Sequence, residues 1–203
     1  MFTHYRTAGI VLKRIDRGEA DQLLVVYTEN FGRVEIVARG IRRGVSKLRP
    51  AVEFPGIVEI EFIQGKACKT LTDAVSINSL GGTRKDLQKS SVLRQICDFM
   101  ERAVRDQQDD RRIWDLLVSA VKFLDASAGH QAAAVYHYFV WHLFRDCGWR
   151  PSFDKDKIDA EIFTLVNFFC DADIERGARL KLAVRQNRLL SDLAENYLSM
   201  VTK

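Results

Sequence analysis

Over the first eighty residues the apolar positions of this chain recur at every second residue in short runs, which constrains the fold more than any other feature of the sequence. Residues 7–15 (TAGIVLKRI) are β-rich, and residues 22–28 (QLLVVYT) form an unbroken apolar run, as in a strand covered on both faces. In RVEIVAR, 33–39, Val34, Ile36 and Ala38 point one way and Arg33, Glu35 and Arg39 the other. In GIVEIEFIQG, 56–65, Val58, Ile60 and Phe62 oppose Glu59 and Glu61. KTLTDAVSI, 69–77, is expected to place Leu71, Asp73, Val75 and Ile77 on one side. Gly18–Asp21 and Glu29–Gly32 supply turn chemistry between the runs. Five short antiparallel strands in under eighty residues predict a small closed barrel; the five-stranded OB-fold is one type, and an SH3-like barrel fits the strand count as well.

The pattern changes at NSLGGTRKD, 78–86, where Gly81-Gly82 breaks the alternation and Thr83 is placed to cap a helix. Beyond it the period is helical. One stripe runs through Val92, Leu93, Ile96, Cys97, Met100, Ala103 and Val104, and a second through Ile113, Leu117, Ala120, Val121 and Leu124. The strongest stripe runs from Ala132 through Phe139 to Cys147. Two more pass through Ile158 to Phe169 and Leu190 to Val201. These faces need partners, so the expected class is α+β: a barrel over residues 1–80 and an all-helical domain over 81–203.

The composition, 47% hydrophobic and 29% charged with three prolines in 203 residues, is that of a globular chain. No apolar run approaches the ~20 residues that span a bilayer, and the N-terminus lacks the order of a signal peptide. A cytoplasmic location is expected, with no membrane partner. The four cysteines, 68, 97, 147 and 170, form no C-x-x-C pair and read as buried thiols. Catalytic motifs fare poorly. His137 and His142 are five apart, off the i, i+4 spacing of a zinc helix, and read as packing or rim residues. DKDKID, 154–159, fails the EF-hand pattern and suits a helix start capped by Ser152 or Asp154. Cys147 near His142 lacks an orienting third group. No catalytic residue, metal or cofactor is assigned.

What remains is VARGIRRGVSKLR, 37–49. From Arg33 to Arg49 six cations (Arg33, Arg39, Arg42, Arg43, Lys47 and Arg49) face one acid, Glu35, in a chain whose whole net charge is +4. Such a run can be a solubility patch. On a small barrel it can also track a nucleic-acid backbone. Lys13, Arg14 and Arg17 extend the candidate track, Tyr27 and Phe31 are candidate stacking rings, and the two loop glycines are expected to let the loop flex over a strand. In the helical part, Arg111, Arg112, Lys122, Arg145 and Arg150 are candidates for holding an acidic peptide. A scaffold that docks proteins and touches no DNA is the rival reading.

The ordered set GIVL (9–12), GEAD (18–21), Thr28 with Gly32, ARGIRRGVSKL (38–48), VEIEFIQG (58–65) and LTDAVSINSL (71–80) resembles the N-terminal domain of the bacterial RecO family of recombination mediators. FVWHLFRDCGWRP, 139–151, is similar to a segment of that family's helical domain. The resemblance implies an OB-fold followed by helices, and binding of single- and double-stranded DNA with annealing of complementary strands. It also implies contact with the acidic C-terminal tail of single-strand binding protein, and loading of RecA together with RecR, all without catalytic turnover. Many members carry a four-cysteine zinc site after the Gly-aromatic-x-Pro segment. Here that stretch, SFDKDKIDAEIF, has no cysteine, so no zinc is expected.

Overall fold

A computed structural model describes residues 3–53, 55–104, 109–151, 153 and 158–202. The chain divides into two compact units, one of Met1–Gly81 with Cys97–Trp114 and the other of Gly82–Ile96 with Asp115–Lys203.

The first unit is built on five strands: β1 (His4–Arg17), β2 (Asp21–Thr28), β3 (Gly32–Ala38), β4 (Ile57–Gln64) and β5 (Lys69–Asn78). They close into a barrel in the order β1-β2-β3-β5-β4, which is the five-stranded architecture expected from the alternation. Four pairings are antiparallel. The β3–β5 pairing is parallel, because strand direction alternates along the chain and β3 skips β4 to reach β5. The interior is filled from alternate positions: Leu24 and Val26 of β2, Val34 and Ile36 of β3, Val58, Ile60 and Phe62 of β4. Only β5 departs from its expected face. The register jumps from Glu61 opposite Asp73 to Phe62 opposite Leu71, so Thr72 bulges. Leu71 and Ala74 therefore point inward, and Val75 and Ile77 are exposed, 52% and 58%. A helical turn not expected from the sequence, α1 (Arg49–Val52), precedes β4 and holds Pro50. Proline suits a first helical turn, where its missing N–H has no bond to lose. Ile41 and Val52, each 1% exposed, plug this part of the barrel core.

The helices are α2 (Gly81–Arg84), α3 (Leu87–Ala103), α4 (Arg111–Ala126), α5 (Ala132–Asp146), α6 (Ala160–Asp171), α7 (Ile174–Arg179) and α8 (Val184–Val201), with a 3-10 turn at Gly129–Gln131 before α5. The five apolar stripes fall on α3, α4, α5, α6 and α8. Thr83 lies inside α2 and caps nothing. The cap of α3 is Asp86, whose Oδ1 accepts from the N–H groups of Gln88 (2.8 Å) and Lys89 (3.1 Å). Ser152 and Asp154 lie outside the described residues. The N-cap of α6 is Asp159, which accepts from Glu161 N. Helix α5 is the centre of the second unit and packs against α6, α7 and α8, so it is apolar nearly all round. It ends in a Schellman motif: Gly148 N donates to Arg145 O (3.0 Å) and Trp149 N to Phe144 O (2.7 Å). Gly148 takes φ +77°, which a residue with a Cβ adopts only at a cost.

Both cores carry a measurable expectation. Ile41→Ala removes the barrel plug and is expected to lower unfolding stability by about 2–5 kcal/mol in urea titration. In the helical unit the sensitive group is His137 of α5, which is fully buried. Its Nε2 donates to Asn187 Oδ1 at 2.8 Å, and its Nδ1 is buried without a hydrogen bond. Burial pushes the imidazole down to about 4 from its ordinary 6.5. As pH falls through that window the unfolded chain takes a proton that the folded chain refuses, so stability falls with pH. The full shift corresponds to about 3 kcal/mol. The urea midpoint should drop between pH 7 and 4.5, and should drop less in His137→Gln.

Candidate nucleic-acid interface

The basic segment leaves β3 at Ala38 and turns at once. Gly40 adopts φ +64°, a left-handed conformation the turn requires. Its N–H donates to Asp21 Oδ1 (2.7 Å), and Arg42 N donates to Ala20 O (2.9 Å). Two further turns succeed it, Arg43 N to Gly40 O (3.1 Å) and Ser46 N to Arg43 O (3.0 Å). Ile41 sits in the barrel while Arg39, Arg42, Arg43 and Lys47 are exposed around it. The loop is therefore fastened near its start, by Ile41, and tied there to the β1–β2 turn. Gly40 serves the turn geometry.

Ion pairing sorts the candidate cations. Arg33 is 17% exposed and lies between Glu35 (3.0 Å) and Glu101 of α3 (3.7 Å), and Lys13 reaches the same Glu101 (3.4 Å). Both belong to the outer face of the barrel, since Lys13 stands opposite Val25 and Val25 opposite Glu35. Arg14 is on the other face, opposite inward-pointing Leu24, so Lys13 and Arg14 do not form one line. Arg42 Nη1 meets Asp16 Oδ2 (3.3 Å), and Arg49 Nη2 meets Glu53 Oε1 (2.9 Å). Exposed pairs of this kind are worth at most about 1 kcal/mol, so a phosphate competes with them readily. Arg14, Arg17, Arg39, Arg43 and Lys47 are exposed and have no carboxylate partner among the described residues. Arg14, Arg42 and Arg49, with Asp16 and Glu53, line a pocket of about 270 Å³ over Ile41 and Val52.

Of the two candidate rings, Tyr27 is 0% exposed and offers no face to a nucleobase. Its strand is covered on both sides. Phe31 is half-buried and meets Tyr5 edge-on at 5.4 Å between ring centroids. This cluster stands where β1 begins, whereas the basic loop is tied to the turn where β1 ends.

The five cations expected to hold a peptide are divided between the two units. Arg111 pairs with Glu29 (2.6 Å) and, with Arg112, belongs to the barrel unit. Arg112 pairs with Asp110 (2.8 Å), and this hydrogen bond holds the Asp110 carboxyl below the usual range. In the helical unit Lys122 is exposed. Arg145 donates to Cys170 O (2.9 Å) and pairs with Asp146, while Arg150 pairs with Asp171 (2.9 Å). Arg145 Nη1 and Arg150 Nη2 thus both reach the end of α6.

The histidines of α5 are core residues and not rim residues. His142 is buried, its Nδ1 donates to Tyr138 O (3.0 Å), and burial holds the ring below its ordinary pKa. Burial pushes the Cys97 thiol up to about 12 and Cys170 to about 11, so neither is a ready nucleophile at neutral pH. Among the described residues no three His, Cys, Asp or Glu side chains converge to hold a metal ion, and no helix is long and apolar enough to cross a membrane.

Asp21 and Ile41 order the loop, and Glu101 neutralises two of its supposed members. None of the three was among the residues expected from the sequence. Ile41 carried a signal, as the one bulky apolar residue between Gly40 and Arg42 in an otherwise charged turn.

Comparison with known proteins agrees across both units. Residues 1–80 match the family model described as recombination protein O N terminal, and residues 84–200 match recombination protein O C terminal. The chain is 29% identical over 147 residues to the DNA repair protein RecO of Dehalococcoides mccartyi, covering 72% of this chain and 57% of that protein. It is 24% identical over 208 residues to that of Syntrophomonas wolfei, covering 98% and 82%. With that of Rubrobacter xylanophilus it shares 34% over 121 residues, covering 60% and 48%. Apart from the Syntrophomonas protein, the matched stretch spans about half the length of these relatives. The barrel, the helices and both family matches lead to one conclusion: the chain belongs to the RecO family of DNA repair and recombination proteins.

Proposed function

We propose that the barrel unit binds single- and double-stranded DNA without sequence preference, through the exposed cations around its basic loop. The observation that carries this reading is a polycationic loop held in place by Ile41, with Arg39, Arg43 and Lys47 left without a carboxylate partner among the described residues. Guanidinium and ammonium groups on an ordered backbone meet phosphates at set spacings, and phosphate contacts carry no base information. Arg14 and Arg17 extend the surface along the end of β1. Arg42 and Arg49 join by exchanging Asp16 and Glu53 for phosphate. Lys13 and Arg33, held by Glu101, contribute less. Two strands neutralised on such a surface approach each other with reduced repulsion, which promotes annealing. Family membership supports a place in recombination: contact with the acidic tail of single-strand binding protein, and loading of RecA with RecR. The protein then acts as a mediator without turnover, in the cytoplasm at the nucleoid.

The test is the salt dependence of binding to a single-stranded oligonucleotide, read by fluorescence anisotropy. About five phosphate contacts give a slope of log K against log salt near roughly −3.5. Arg39→Ala/Arg43→Ala/Lys47→Ala should flatten that slope by about 2, from roughly 0.7 per contact. An unchanged slope would remove the loop from the interface and favour a scaffold that docks proteins instead.

A further inference from the structure

At the end of the barrel where β1 begins there is a second cavity, of about 360 Å³, built wholly from the barrel unit. We propose that it receives one unstacked nucleobase of a bound single strand. This inference rests on the reading that the barrel unit binds DNA, and adds to it a site for a base rather than a phosphate.

Its floor is Phe62, 1% exposed. Tyr5 lies over Phe62 with ring centroids 5.3 Å apart and planes 20° apart, and Phe31 stands at 80° to Phe62 at 5.7 Å. Two rings at right angles over a common floor make a corner. Tyr5 and Phe31 are both only half-buried, so the corner opens outward. Its rim is polar. Asn30 and Gln64 carry amides, which have both donors and acceptors and so match the mixed edges of bases. Gln64 Nε2 donates to its neighbour Gly65 O (2.9 Å), which leaves its carbonyl oxygen as an acceptor. Asp109 adds an acceptor for an exocyclic amino group and disfavours a phosphate inside. Lys69 is the one cation among the lining residues, suited to the phosphate that accompanies a base.

The chemistry therefore differs from that of the basic loop. The loop offers charge with no aromatic surface, and this cavity offers aromatic surface with little net charge. A base in a duplex has its faces stacked and its edge paired, so only an unpaired base can enter. Stacking on aromatic side chains tolerates any base, because every base has a π-face.

The experiment compares the full chain's affinity for a mixed-sequence 20-mer and for a fully abasic 20-mer of equal length, by anisotropy at several salt concentrations. The wild type should bind the abasic strand at least about 5-fold more weakly, the lower end of one stacked base. Phe31→Leu keeps apolar volume in the barrel but removes the flat face. It should weaken binding of the base-bearing strand by about 5-fold and leave the abasic strand and the salt slope unchanged. Tyr5→Leu serves as the second variant, and thermal melts identify the one that remains folded. Equal weakening of both strands in the folded variant overturns the proposal, as does equal wild-type affinity for the two strands. If the salt slope survives either result, the pocket assignment alone fails. If no salt-dependent binding exists at all, the DNA-binding reading fails with it.

Discussion

The barrel depends on one strand that hydrogen-bonds on both sides. In β1, His4–Ile10 pairs with β4 and Gly9–Arg17 pairs with β2, overlapping only at Gly9 and Ile10. That double pairing closes the barrel and removes the exposed edges an open sheet would present. It also staggers the strands. Beyond Ile10 the strand has no β4 neighbour, and there the barrel is completed by Ile41 and Val52 beside Arg14 and Asp16. Before Gly9 it has no β2 neighbour, and there Tyr5 and Phe31 fill the gap. The basic loop and the aromatic corner are two outcomes of one stagger.

Charge is distributed with the same economy. Acids that lie far apart in sequence, Asp16, Glu53 and Glu101, pair with one group of cations and leave another uncompensated. Glu101 comes from a helix and neutralises the outer face at Lys13 and Arg33. No helix acid among the described residues reaches Arg39, Arg43 or Lys47. The net charge of +4 therefore understates the local field near the loop.

Much of the fold is legible in the sequence, because period-two and period-3.6 patterns report directly which side of an element is buried. All five strands and the five long helices lie where those patterns put them. The misses have physical causes. Thr72 bulges, and a bulge shifts the faces without leaving a mark in a strict alternation. The six residues of α7 are too few to show a period. Proline at the start of α1 reads equally well as the end of a loop. The cluster of cations is visible in one dimension, but its division into paired and unpaired members is not, because the partners come from β1, α3 and the residue after α1. Tyr27 is instructive in a different way. The unbroken apolar run QLLVVYT already implies a strand covered on both faces, which is incompatible with an exposed ring at its end.

Fixing a polycation to a barrel through a buried isoleucine also sets when its disorder is lost. The chain entropy of a free loop of this length would be surrendered at each encounter with a partner and would weaken every complex. With Ile41 in the core and Gly40 and Arg42 bonded to the β1–β2 turn, that entropy is surrendered once, when the barrel folds. A polyanion bound there, as proposed above, would draw on released counterions with less backbone ordering to offset them. Such a surface would take and release successive partners without refolding the Gly40–Arg42 turn each time.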